Sequence, residues 1–242
     1  MAEMGLGYGS EFQLLRYLGH HRIELNKLIK ENTRLKGELY WLDFPKDKKT
    51  DLTKMSLSLD EEYKGVDFLI DKISKEDFDN LQSKWKAYWS LGGNLPNWDG
   101  VILHKDDNTE EWIIVEAKAH LGEIESNTAS ASNQNIQNAF KNTQERFKIS
   151  NDNWFGKHYQ LANRLAFINF LLENNINASL LYIYFINGYE KRQLLNRKKT
   201  LVENKSVKKQ SDWEKIIEEE YIDLGINEKA KKYISNVFID CK

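Results

Sequence analysis

Cysteine is almost missing from this sequence: a single residue, Cys241, stands next to last among 242. One thiol makes no intramolecular disulfide, so the fold must be held by its core, and a reducing compartment is the natural expectation. Long apolar runs are missing as well. No stretch approaches the roughly 18 uninterrupted apolar residues of a spanning helix, and the opening MAEMGLGYGSEF has no basic segment leading into an apolar one. A soluble, cytoplasmic protein with no membrane partner is expected. The chain also lacks a Gly-rich phosphate loop, a nucleophile elbow and a dinucleotide fingerprint, which leaves ATP- or NAD-driven chemistry, and any nucleotide cofactor, without support. Finally, charge of one sign is lacking: charged residues make up 30% of the chain, yet the formal net charge is -2. A polyanion would feel no global attraction, so nucleic-acid binding must come from a local patch.

What is present is enough chain to close a core without staples. The expectation is a single α/β domain over residues 1–242, with a motif-bearing core at about 85–190 and a helical N-terminal region at 11–84. Residues 11–31 place Leu14, Leu18, Leu25 and Leu28 at helical intervals, which predicts one long helix despite Gly19. Residues 39–60 read as an irregular connection with one short element, followed by a helix resuming near Glu61 and another from Ser74 through Trp85.

LGGNLPN then turns the chain into WDGVILHK, and DDNTEE separates that run from WIIVEAKA, which together predict an antiparallel strand pair. Two helices follow, one carrying Ile136, Ala139, Phe140 and Phe147, the other Leu161, Leu165, Ile168 and Leu172. INASLLYIYFING is rich in β-branched and aromatic residues and predicts an interior strand covered on both faces. A basic stretch at 191–210, eight Lys or Arg against one Glu, precedes a helix near Asp212. YISNVFI is compatible with a last helical turn or an edge strand.

The chemistry-bearing residues lie on the strand pair. Glu116 and Lys118 are two apart, so they share one face of their strand while Val115 and Ala117 take the other. Ionisable groups directly after Trp112-Ile113-Ile114-Val115 are costly unless paired or ligated. Asp99 opens the preceding run beside Gly100, and in a hairpin it can face Glu116 and Lys118. Two carboxylates and a backbone carbonyl, such as that of Ala117, suit Mg²⁺, with Mn²⁺ as a substitute. Lys118 would position or help deprotonate water, or offset charge on a phosphate. The plain alternative is an edge salt-bridge pair capping a sheet.

Pro96-Asn97-Trp98-Asp99, followed after seventeen positions (116 minus 99) by Glu116-Ala117-Lys118, resembles the PD-(D/E)XK nuclease superfamily. The pattern departs from the usual one in placing Asn97 after the proline and the acid only at Asp99. The resemblance implies a restriction-endonuclease-like fold, a central mixed β-sheet flanked by helices with the acid on one strand and the acid-X-lysine on the next. It also implies Mg²⁺-dependent endonuclease cleavage of DNA, in restriction or repair, and a further acid from an early helix. Glu24, beside the Leu25 and Leu28 stripe, and Glu31 are the candidates for that acid, with Glu11 a weaker choice because it opens the helix. A double-strand cut commonly uses two active sites, which brings a homodimer into view.

Secondary candidates are His120 and Glu123, for substrate or metal contacts, and Gln134 and Gln137, three apart on a helix, for phosphate or base edges. Arg197, Lys198, Lys199, Lys208 and Lys209 are candidates for phosphate contact. Each has an ordinary reading too, as a loop histidine, a solvated helix face or a solvated loop. His20-His21 with Glu24 lacks zinc spacing. A catalytically silent binding or assembly module on a nuclease-like sheet is the competing function.

Overall fold

The computed structural model describes residues 9–43, 62–89, 96–107, 109–125, 133–151, 153–188 and 206–241, together with the backbone of two short strands at 194–195 and 201–202. The chain is α/β, a five-stranded mixed sheet with helices on both faces.

Two helices open it, α1 (Gly9–His20) and α2 (Arg22–Asn32). The sequence predicts one helix here; the structure divides it at His21, whose φ of -129° and ψ of 27° leave the helical region. Gly19, His20 and His21 are all poorer helix formers than the leucines around them. The break lets Leu14 and Leu18 of one helix and Leu25 and Ile29 of the other pack on the same side of the sheet.

The short element expected after residue 39 is a strand, β1 (Glu38–Trp41). It buries Leu39 and Trp41, alternates with exposed Tyr40, and runs antiparallel at the sheet's edge. No helix begins in the described residues just after Glu61. Instead β2 (Tyr63–Lys64) pairs with β3 (Asn97–Trp98), and a 3-10 turn spans Asp67–Leu69. The bend after β2 needs glycine at position 65: its φ is +50°, and a Cβ there would lie 2.4 Å from the Trp85 indole nitrogen. The helix predicted from Ser74 is α3 (Lys75–Tyr88), capped by the Ser74 hydroxyl, which accepts from the Asp77 N–H at 3.1 Å.

The predicted strand pair is β4 (Gly100–Asp106) and β5 (Thr109–Lys118), antiparallel with Gly100 opposite Val115. α4 (Gln134–Phe147) and α5 (Tyr159–Glu173) then lead to β6 (Ala178–Ile186). β7 (Leu194–Leu195) and β8 (Leu201–Val202) pair with each other, and α6 (Gln210–Leu224), α7 (Glu228–Lys231) and β9 (Ile234–Asp240) complete the chain. YISNVFI is therefore strand.

The sheet order is β1-β4-β5-β6-β9, antiparallel through β5 and parallel from β5 to β9. Parallel neighbours need long crossovers, and helices provide both. All nine residues of β6 are buried, as expected of a strand covered on both faces. α5 is buried continuously from Leu161 to Leu171, so it is a core helix rather than a surface one with a single apolar stripe.

Candidate functional site

The site forms where β4 and β5 separate. Trp112 donates its N–H to Asn177, so the even-numbered residues of β5 direct their main chain toward β6 and the odd-numbered ones toward β4. The β4 ladder ends at Gly100 opposite Val115, and Trp98 has already turned away to pair with Tyr63. Among the described residues, Ala117 thus reaches past the ladder with no strand partner on that side. Its N–H donates to Asp99 Oδ2 at 2.7 Å, and its carbonyl points the same way, because the N–H and C=O of one strand residue face the same neighbour.

Side-chain alternation supplies the rest. Val115 and Ala117 enter the apolar layer beneath α1 and α2, while Glu116 and Lys118 face α5, each only 4% exposed. Lys118 Nζ donates to Glu116 Oε1 at 2.7 Å. Two residues one turn apart on α5 complete the glutamate's shell: Gln160 Nε2 donates to Oε1 at 2.9 Å and Arg164 Nε to Oε2 at 2.9 Å. Arg164 also lies over the Trp98 ring, 5.0 Å from its centroid.

These contacts give the two carboxylates opposite proton affinities. Burial alone would raise Glu116, but Arg164 and then Lys118 reverse it, and the group stays ionised below the usual carboxylate range. Asp99 is raised well above that range by burial and next by the charge of Glu116, against the weaker pull of Lys118. Burial would also discharge Lys118, but Glu116 and Asp99 hold it as an ammonium with a raised pKa.

More acids surround the same end of β5. Glu11, in the first turn of α1, is raised to about 7 by burial and by the charges of Glu62 and Glu123. Glu62 is 8% exposed, has no hydrogen bond or ion pair among the described residues, and adds its charge against Asp99. Glu123 serves the local backbone: it accepts from the N–H groups of Ala119 and His120 and from the Ser10 hydroxyl at 2.8 Å, fastening the turn after β5 to α1. His120 lies over that turn, its Nδ1 accepting from the Gly122 N–H at 3.1 Å.

Other candidates fall elsewhere. Glu24 and Glu31 are exposed on α2, paired with His21 and Lys27 respectively, while the buried side of that helix is formed by Leu25 and Ile29. Gln134 is exposed at the start of α4, its amide donating to Asn138, and Gln137 is partly buried. Lys208 and Lys209 are exposed just before α6; Arg197, Lys198 and Lys199 lie outside the described residues.

Sequence reasoning passes over Gln160, Arg164 and Glu62. For the first two a signal exists: polar side chains four apart in a helix too apolar to lie at the surface must find buried partners. Comparison of the chain with protein-family models, curated proteins and solved structures finds no match.

Proposed function

We propose that the protein is a Mg²⁺-dependent nuclease of the PD-(D/E)XK type that hydrolyses phosphodiester bonds in DNA. The observation that carries this reading is the convergence of Asp99, Glu116, Lys118 and the Ala117 main chain where β4 leaves β5. A restriction-endonuclease-like fold is part of the same proposal, supported by a mixed sheet with the acid beside one strand and the acid-X-lysine on the next.

Hard oxygen donors fit the ion. Asp99 Oδ1 accepts no hydrogen bond among the described residues, the Ala117 carbonyl is directed into the same gap, and Glu116 is held ionised. Among the described residues no group of three or more His, Cys, Asp or Glu side chains is arranged to hold a metal; the proposed set uses two carboxylates and a main-chain carbonyl. For the further acid from an early helix, the closeness of Glu11 to Glu62 and Glu123 supports Glu11 over Glu24 and Glu31, which pair with His21 and Lys27 on the exposed side of α2. When bound, Mg²⁺ supplies Lewis-acid polarisation of a phosphoryl oxygen and a more acidic water. Lys118, kept protonated, offsets charge gathering on the phosphate. Asp99, whose carboxyl is raised above the usual range in the absence of a cation, would hold the ion as a carboxylate, its charge then compensated by the metal.

The near-complete burial and mutual pairing of Glu116 and Lys118 also suits a silent module that keeps the cluster as internal structure. Wild type, Lys118→Ala and Asp99→Ala should be incubated with linear, supercoiled, single-stranded and branched DNA, and with RNA, in Mg²⁺ or EDTA. The nuclease reading expects metal-dependent products from wild type, lowered by on the order of 10²–10³ in Lys118→Ala. Calorimetry should find Mn²⁺ binding lost in Asp99→Ala but largely kept in Lys118→Ala. Equal cleavage by wild type and Lys118→Ala would remove the lysine's role.

A further inference from the structure

All three hydrogen bonds that Glu116 accepts come from side chains, two of them cationic, whereas Glu123 accepts chiefly from backbone N–H groups. A carboxylate offers about four acceptor directions. Lys118 and Gln160 use both of those on Oε1, and Arg164 uses one on Oε2. Among the described residues, one direction on Oε2 is left.

The three donors come from two separate elements, so the glutamate cannot swing without breaking at least one bond. Lys118 is on its own strand; Gln160 and Arg164 project from the first two turns of α5. Arg164 is itself fixed, over Trp98 and against Asn163 Oδ1 at 3.5 Å. Trp98 is fully buried and donates its indole N–H to the Gly65 carbonyl at 2.7 Å. A chain of fixed contacts thus runs from the bend at Gly65 through Trp98 and Arg164 to one oxygen of Glu116.

We propose that Gln160 and Arg164 are positioning residues of the metal centre, holding Glu116 so that a single oxygen direction, on Oε2, is presented to the cation. This rests on the metal reading of Asp99 and Glu116. In this arrangement α5, not the strands alone, sets how well the cation is held. Partners behind a ligand commonly govern metal affinity by an order of magnitude or more. Gln160 is the cleaner probe, because it is neutral and its removal changes orientation without changing the charge beside the ion.

The test is direct Mn²⁺ binding by the full chain without DNA, by electron paramagnetic resonance of free Mn²⁺ and by calorimetry, with folding verified by circular dichroism. Gln160→Met keeps length and bulk but donates no hydrogen bond; it should weaken Mn²⁺ binding about tenfold. Asn169→Ala is the control on the same helix: its amide serves Tyr88 and Glu173, away from the site, so it should lower stability and leave Mn²⁺ affinity unchanged. In cleavage, Gln160→Met should raise the Mg²⁺ concentration for half-maximal rate more than it lowers the rate at saturation. Wild-type Mn²⁺ affinity in Gln160→Met, or an equal loss in Asn169→Ala, would overturn the positioning role while leaving the metal reading intact. Absence of Mn²⁺ binding in wild type, or full binding in Glu116→Gln, would overturn the metal reading and this proposal with it.

Discussion

The two faces of the central sheet come from the same strands and carry different burdens. Beneath α1 and α2 the layer is mainly apolar: Ile113, Val115, Ala117, Leu181, Ile183, Val237 and Ile239 meet Leu14, Leu18, Leu25 and Ile29, with buried Ser179 and His104 toward the other end of the strands. Beneath α5 the layer begins the same way, with Val101 and Ile114, and then at the end of β5 turns to Glu116 and Lys118. Packing alone requires no such change. Well-packed apolar side chains are often at least as stabilising as a buried ion cluster, because burial strips the charges of water. The metal proposal accounts for this difference between the faces; a purely structural cluster would account for it only as a cost to stability.

The sharpest way to break that comparison is to remove one side chain from each face. Glu116→Ala leaves Lys118 and Arg164 buried without their shared anion, and urea titration should record a loss of about 3–5 kcal/mol. Leu181→Ala on the opposite face should lose a comparable amount, about 2–5 kcal/mol, by opening a cavity. The difference is expected in the response to metal. Mg²⁺ that binds only the folded state raises stability by mass action, so the unfolding midpoint of Leu181→Ala should still rise with Mg²⁺ and that of Glu116→Ala should not. Equal responses would make the charged face as purely structural as the other.

A smaller effect sharpens the contrast within the charged face itself. Glu116 has two cations; Glu11 is surrounded by Glu62 and Glu123, and its carboxyl is raised from 4.5 to about 7. A carboxyl that is raised on folding favours the folded state while protonated. Stability linked to Glu11 is therefore lost as pH climbs from 4.5 to about 7 and stays lost above it. Glu11→Gln removes this dependence. In EDTA the variant should match wild type near pH 4.5 and exceed it by about 1–2 kcal/mol at pH 8, since a tenfold change in proton affinity is worth about 1.4 kcal/mol and solvent screens part of it. A constant difference across that range would mean that neither burial nor the acidic neighbours raise the Glu11 carboxyl.

How much of this was legible depends on the distance over which each feature is encoded. β4, β5 and β6 announce themselves locally through apolar runs and turns, and the Asp99, Glu116 and Lys118 grouping follows from strand periodicity plus one hairpin. The early acid could not be chosen that way. Glu24 and Glu31 lie close to a buried stripe in sequence, yet which end of the sheet a helix residue reaches is set by how α1 and α2 divide at His21 and lie across the strands. Among the acids of α1 and α2, Glu11, next to the Ser10 that donates to Glu123, lies near the β5 turn. β1 was hidden for a similar reason: four residues carry too little pattern without the partner strand that makes them an edge. Gln160 and Arg164 were visible as polar residues in an apolar helix, but their target lies 44 and 48 residues away in the chain.

The smallest expected effect concerns how DNA would approach this face. Lys208 and Lys209 are exposed, and the segment before them is fixed near the site: Ser206 bridges to His120, two residues beyond Lys118, and the Val207 carbonyl accepts from the Asn187 N–H at 2.8 Å. Two lysines held there suit phosphate contact, which is electrostatic, indifferent to sequence and weakened by salt. Each phosphate contact contributes about 0.9 to the slope of log affinity against log salt on duplex DNA. Substituting both lysines with alanine should therefore flatten that slope by up to about 1.8 and weaken binding evenly across unrelated sequences. The cleavage rate at saturating DNA should not change, because neither side chain belongs to the cluster around Glu116. Fluorescence anisotropy over a series of salt concentrations is sufficient. A slope unchanged from wild type would place the DNA path on the other side of the β5 turn; a slope that flattens together with a fall in the saturated rate would draw these lysines into the site itself.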